Sequence, residues 1–210
     1  MEENEKIDII VPIYSRTIHT EKCLESIKNH TKNYNLIIIE KMQSVAKNIN
    51  EGLKQVKSSW FVKLDDDILV SPGWLDELLK LRKSDIGQIQ PKILYPFQRR
   101  IWSAEVNLKP LYQVGYLSID TGQYSYIKEA DMLTGGCGLY NSEILKKGIK
   151  CDENFQGSQY EDIDLSLQIK KAGYKLVYNG ECEVIHLHLF RQSKNDNRNY
   201  LFSKWKEALT

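Results

Sequence analysis

Long apolar runs are missing from this 210-residue chain. The longest, such as Leu36 to Ile39, are strand-sized, whereas a bilayer-spanning helix needs about 20 residues. No transmembrane segment is expected. An excess of charge of one sign is also missing, because 29 Lys plus Arg face 28 Asp plus Glu, a net charge of +1. That balance excludes a broad electropositive face and argues against nucleic acid as a partner. Any anionic ligand must be met by local groups. Cysteine is scarce: Cys23, Cys137, Cys151 and Cys182 lie far apart, with no Cys-x-x-Cys pair. Zinc-site spacing is therefore absent, and in a chain this long a disulfide framework is not expected. Free thiols in a reducing cytoplasm are the expectation. Glu2, Glu3 and Glu5 near the start do not form a signal peptide, and there is no internal repeat or low-complexity tract.

What is present is an ordinary globular composition, 41% hydrophobic and 27% charged, enough to bury one core. Ile7 to Val11 is a nearly continuous apolar run stopped by Pro12, the mark of a strand buried on both faces. Thr20 can cap a helix carrying Cys23, Leu24 and Ile27. Leu36 to Ile39 repeats the buried-strand pattern and ends at Glu40. From Ser44, Val45, Ile49, Leu53 and Val56 form a helical stripe. Trp60 to Leu64 is a third strand and runs into Asp65, Asp66 and Asp67. Ser71-Pro72 starts a helix with Leu75, Leu78 and Leu79 inward. Strand and helix alternating at this spacing predict an α/β sheet of parallel strands with right-handed crossovers.

Beyond Ile86 the pattern is short and β-like, with breaks at Pro91, Pro96, Pro110, Gly115 and Gly122. A strand is expected near Ala130 to Leu133, before Gly135-Gly136. Asn141 caps a short helix ended by Gly148. Asp162 to Ala172 is an amphipathic helix stopped by Gly173, Lys175 to Tyr178 and Cys182 to His188 are late strands, and a short helix runs from Tyr200 to Leu209.

In open sheets of this type ligands gather beyond the carboxyl ends of the strands, where Pro12-Ile13-Tyr14, Glu40 and Asp65 to Asp67 all fall. Three adjacent carboxylates repel unless a cation or donors offset them, and a hard divalent ion shared with phosphate oxygens is the usual solution. An isolated acidic run also serves as a solvated helix cap; the strand-end position favours the ligand role. On an extended segment Asp65 and Asp67 point the same way. Glu161 and Asp162 begin a helix, where carboxylates favour the dipole, yet Asp162 facing a cleft could take a proton from a hydroxyl. His186 and His188, two apart on a strand, are candidate metal ligands. Lys47 could reach a phosphate, and Arg191 and Lys194 could clamp a diphosphate, or all three are ordinary surface cations. Trp102 and Tyr112 lie in the stretch where a second substrate would be met.

Taken in order, these motifs resemble the GT-A glycosyltransferases, especially the large family 2 group. Val11-Pro12-Ile13-Tyr14 is similar to the family's opening strand end, which flanks the nucleotide base. Ala46 to Gly52 resembles the helix after the second strand. Leu64-Asp65-Asp66-Asp67 matches the DxD signature, which implies ribose and Mn²⁺ or Mg²⁺ contacts. Thr134-Gly135-Gly136 resembles the glycine turn beside the sugar. Glu161-Asp162-Ile163-Asp164-Leu165 with Gly173-Tyr174 resembles the element bearing the catalytic base, and Val184-Ile185-His186 the late histidine of the metal shell. Where the family's second strand ends in Asp, this chain has Glu40.

The resemblance implies a GT-A, Rossmann-like, mixed and mostly parallel sheet flanked by helices. It places a nucleotide-binding half at about 1–95 and an acceptor half at about 96–190, with 191–210 a polar segment and short helix. It implies transfer of a hexose or deoxyhexose from a nucleoside-diphosphate sugar, UDP-linked by expectation, to a carbohydrate or glycoprotein hydroxyl. Asp162 and Glu161 are then the catalytic pair, and inversion the favoured outcome. Pro12, Tyr14, Arg16, Glu40, Lys47, Asp65, Asp66, Gly135, Gly136 and Arg191 bind the donor. Asp67 and His186 hold the metal, with His188 as the alternative. Two other readings of the same residues are a nucleotidyltransferase acting on sugar phosphates and a non-catalytic nucleotide- or carbohydrate-binding module.

Overall fold

The computed structural model describes residues 5–187 and 196–209. Its first part is the expected alternation: β1 (Ile7–Ile13), α1 (Ile18–His30), β2 (Tyr34–Glu40), α2 (Val45–Leu53) and β3 (Trp60–Leu64). All seven residues of β1 are buried, because it lies between β2 and β3 and pairs parallel to both. The helix start differs from expectation at α1. Thr17 is the cap, and Thr20, three residues on, closes a capping box with it, so one hydroxyl serves each orphan N–H. Ser44, where the stripe begins, caps α2, accepting from the backbone N–H of Lys47 at 3.4 Å.

After β3 come β4 (Ile68–Leu69), α3 (Trp74–Leu79) and β5 (Ile86–Leu94). β5 corrects the expected break at Pro91, for it is a buried nine-residue strand running through that proline. Pro91 has no N–H to give to a ladder, and the pairing with the last strand slips just beyond it. Short strands follow: β6 (Ile101–Ser103), β7 (Val106–Asn107), β8 (Tyr112–Gln113) and β9 (Ile127–Glu129). The strand expected at Ala130 to Leu133 is thus displaced to β9, with Met132 making only an isolated bridge to Val106.

β10 (Cys137–Asn141) was not expected at all. It precedes α4 (Glu143–Lys146) and α5 (Glu161–Lys171). The two late strands form one, β11 (Lys175–His186), with an irregularity after Asn179. α6 (Asn197–Lys204) and α7 (Lys206–Leu209) end the described chain.

The main sheet runs β2-β1-β3-β10-β5-β11-β4. β2, β1, β3, β5 and β11 share one direction, while β10 and β4 oppose it. The result is a mixed, mostly parallel sheet in a single domain. Cys23 and Ile27 of α1 and Trp74, Leu75 and Leu78 of α3 pack with one set of strand side chains. Ile49 of α2 and Leu165 and Ile169 of α5 pack with another. Leu201 and Leu209 join Phe155, Ile163 and Leu167 in a third cluster, which docks the C-terminal helices on α5. No helix among the described residues is long and apolar enough to cross a membrane.

Gly87 of β5 packs directly under the end of α5. A Cβ there would stand 2.4 Å from Ile169 Cγ2 and 2.9 Å from Tyr174 Cβ. Gly87→Val should therefore cost about 1–3 kcal/mol by overpacking, read as a lower denaturation midpoint with an unchanged slope in urea.

Candidate functional site

Backbone pairing brings three distant segments together at the carboxyl end of β3. Leu64 pairs with Cys137 of β10, and the Asp65 N–H donates to the Gly136 carbonyl at 2.8 Å. The turn through the three aspartates closes when the Ile68 N–H donates to the Asp65 carbonyl at 3.2 Å. β4 then pairs antiparallel with β11, setting Ile68 against His186, and the Leu187 N–H donates to the Asp67 carbonyl at 2.8 Å. His186 is consequently delivered to Asp67: its Nε2 lies 3.0 Å from Asp67 Oδ1.

Asp65, Asp67 and His186 each offer one ligand atom, and those atoms all lie within 4.8 Å of one another. Two carboxylate oxygens and an imidazole nitrogen are a donor set that suits a divalent cation such as Mn²⁺. Trp102 of β6 stands edge-on to the His186 ring, with centroids 4.7 Å apart. Asp66 faces elsewhere, accepting from Thr20 Oγ1 of α1 at 2.6 Å. Burial pushes its carboxyl up, opposed by that hydroxyl and reinforced by Asp67 and Asp65. Burial likewise raises Asp65; Lys63 opposes the rise and Asp67 adds to it.

Lys63 is the residue that sequence reading passed over. It is 5% exposed, pairs with Asp65 and donates from Nζ to the Gly135 carbonyl at 2.6 Å. The signal was present: a lysine inside an apolar strand, two residues before Asp65 and so on its face. On the other side of Gly135, its N–H donates to Asp162 Oδ2 at 2.8 Å. A side chain at Gly135 would put Cβ 2.7 Å from Asp162 Cβ, so the contact requires glycine.

Glu161 is 7% exposed, and its Oε2 has no hydrogen-bond partner among the described residues. Burial, with the Asp162 charge next, raises its pKa from 4.5 to about 8.

The remaining sequence candidates form a second group at the ends of β1 and β2. Pro12 is buried opposite Ile39, and Tyr14 is exposed. Arg16 donates to Glu40 at 2.9 Å and to Glu21 at 3.0 Å. Lys47 is exposed on α2. His188, Arg191 and Lys194 lie outside the described residues.

A model of the family described as "Glycosyltransferase like family 2" matches residues 3–201. In a search of curated proteins none matches the chain. Among solved structures, GalNAc-T7 with UDP, GalNAc and Mn²⁺ superposes with a TM-score of 0.73 at 13% identity, over 98% of this chain. The chain spans 50% of the GalNAc-T7 chain. The catalytic domain of Drosophila beta1,4-galactosyltransferase 7, in complex with xylobiose, gives a TM-score of 0.61 at 16% identity, covering 94% of this chain and 79% of that one. Both likenesses are of fold, and that fold is GT-A.

The Glu161 environment generates a pH prediction. Because the folded-state pKa lies above the unfolded one, its stabilising contribution is complete below about 4.5 and is lost as pH rises through about 8. Gln mimics the protonated acid and escapes that loss. Glu161→Gln should match the parent chain near pH 4.5 and exceed it progressively toward pH 9, by on the order of a few kcal/mol. Thermal melts in chelator across that range measure it.

Proposed function

The chain belongs to the Glycosyltransferase like family 2 proteins and is a transferase, and on that premise we propose its reaction. It moves a hexose or deoxyhexose from a UDP-linked donor to a hydroxyl of a carbohydrate or glycoprotein, assisted by Mn²⁺ or Mg²⁺. The observation carrying this reading is the meeting of Asp65, Asp67 and His186 beside the Gly135–Asp162 contact. Support comes from the similar GalNAc-T7, whose structure contains UDP, GalNAc and Mn²⁺.

Asp67 and His186 would hold the cation, beside Asp65. When bound, the ion offsets the charge of the departing nucleoside diphosphate. Asp65, steadied by Lys63, also meets the ribose. Asp66, turned to Thr20, serves the packing of α1 against the site instead of the donor sugar. Tyr14 and Pro12 flank the base, while the Arg16–Glu40 pair lies at its rim. Lys47 and Arg191 are the cations assigned to the diphosphate. Gly135 and Gly136 line the sugar by their backbone.

Asp162 is the general base for an inverting displacement. It takes the proton of the acceptor hydroxyl as the new C–O bond forms and the sugar–phosphate bond breaks, releasing UDP. Glu161 is largely neutral near pH 7, which keeps a further negative charge away from the base. The nucleotide-binding half ends near residue 95, and the acceptor is met by the part that follows. Four buried cysteines without disulfides support residence in a reducing compartment such as the cytoplasm.

Calorimetric titration of UDP with Mn²⁺ and with chelator tests the metal. Tight binding only with Mn²⁺ is expected, and equal affinity in both overturns the assignment. Asp67→Ala and His186→Ala should each abolish the Mn²⁺ effect while the chain stays folded. Asp162→Asn should keep UDP binding within about twofold yet lower kcat by about 10²–10⁴, in an assay that separates UDP release from pyrophosphate release. Full turnover in Asp162→Asn removes the base.

A further inference from the structure

The chain enters α5 through an uncommon backbone path. Gly157, Gln159 and Tyr160 all take left-handed angles, with φ of +67°, +84° and +72°. For residues other than glycine that region is sparsely populated, and it persists only where the surroundings over-determine it. Tyr160 is the N-cap of α5 and makes no side-chain cap bond. Asn197, at the start of α6 and 3% exposed, restrains this loop. Its Oδ1 accepts from the Gln156 N–H at 2.9 Å. Its Nδ2 donates toward the carbonyls of Gln156 and Gln159 at 2.9 Å and of Ser158 at 3.2 Å. One side-chain amide therefore engages three residues of the loop through both its acceptor and its donors.

The same segment is tied to α2 and to the glycine turn. The Gly157 carbonyl accepts from the Val45 N–H at the start of α2 at 2.9 Å. One turn of chain later, Asp162 Oδ2 accepts from the Gly135 N–H at 2.8 Å. Deeper in α5, Asp164 is fully buried and accepts from Trp205 Nε1 at 2.7 Å and Lys204 Nζ at 2.8 Å. The C-terminal helices thus grip α5 at its body and, through Asn197, at its entry.

We propose that Asn197 is a positioning residue for the Asp162 carboxylate, fixing the left-handed loop that seats Asp162 against Gly135. Its kinetic consequence rests on the reading of Asp162 as the base; its structural consequence does not. Asparagine is suited to the task because a short amide offers an acceptor and two donors together. Leu keeps the bulk and loses all of these bonds, while Asp keeps the acceptor and loses the donors.

Amide hydrogen exchange and steady-state kinetics on the full chain test this. Asn197→Leu should speed exchange at the Gly135 and Val45 amides about tenfold, as for a local opening, with β1 and β3 amides unchanged. It should lower kcat by about 30- to 100-fold, the scale of a misplacement of about an ångström, and leave the donor KM within about threefold. Asn197→Asp should fall between the parent and Asn197→Leu. Lys204→Met, which releases Asp164 and Asp152 but none of the Asn197 bonds, should lower the melting temperature and leave Gly135 exchange as it is. Unchanged Gly135 exchange in Asn197→Leu, or an equal rise throughout β1 and β3, overturns the proposal. Should the parent chain transfer no sugar, the functional reading fails, and the Gly135 amide still decides the role of Asn197.

Discussion

A single buried ammonium reconciles charges that would otherwise keep this site from forming. Lys63 is enclosed in the middle of the sheet, paired with Asp65 and donating to the Gly135 carbonyl. Asp65 and Asp67 converge with His186, while Asp162 reaches Gly135 from the opposite side. Two like charges about 4 Å apart repel by roughly 4 kcal/mol at an effective dielectric of 20, so an acidic cluster of this density needs an internal cation. Lys63 contributes one that cannot diffuse away. Its placement follows from register, since β10 sets Gly138 opposite Lys63 and leads in from the glycine turn it contacts.

The same economy of charge appears farther from the site, in a different form. Lys92 is fully buried on β5 and pairs with Asp120 and Glu183 at 2.8 and 2.9 Å. Arg99 bridges the same two carboxylates from the surface side, both at 2.9 Å. There the charges cancel in place. At the aspartate turn three adjacent carboxylates meet one ammonium, Lys63, and the His186 imidazole, so the charges do not cancel in place.

The first part of the fold was readable because its signals are local. β1 and β3 are apolar runs of strand length, and α2 shows a helical stripe beginning after Ser44. The nearness of Asp65, Asp67 and His186 also follows motif order, whereas Asp66 turns to Thr20. What escaped depends on contacts far apart in the chain. β5 carries Gln88, Gln90 and Lys92, all buried, and such residues disguise a central strand unless their partners are known. Gln88 donates to Tyr140 Oη at 3.1 Å and Gln90 accepts from the Thr134 N–H at 2.6 Å, partners some fifty positions away. β10, Cys-Gly-Leu-Tyr-Asn, has no alternation to betray it, and its Asn141 reads locally as a helix cap. That reading was half right, for its Oδ1 accepts from the Glu143 N–H at 3.0 Å. Arg16 also engages Glu40 and Glu21, a pairing that no spacing rule announces.

The insertion of β10 between β3 and β5 has a bearing on how the chain emerges from the ribosome. Until Cys137 to Asn141 are made, β3 and β5 each present an unsatisfied ladder, the condition in which strands recruit the wrong neighbour. Late residues must travel back into the middle of an already drafted sheet, so early segments cannot mature alone. Vectorial synthesis therefore leaves an open seam between β3 and β5 until β10 arrives, and its closing is a cooperative step.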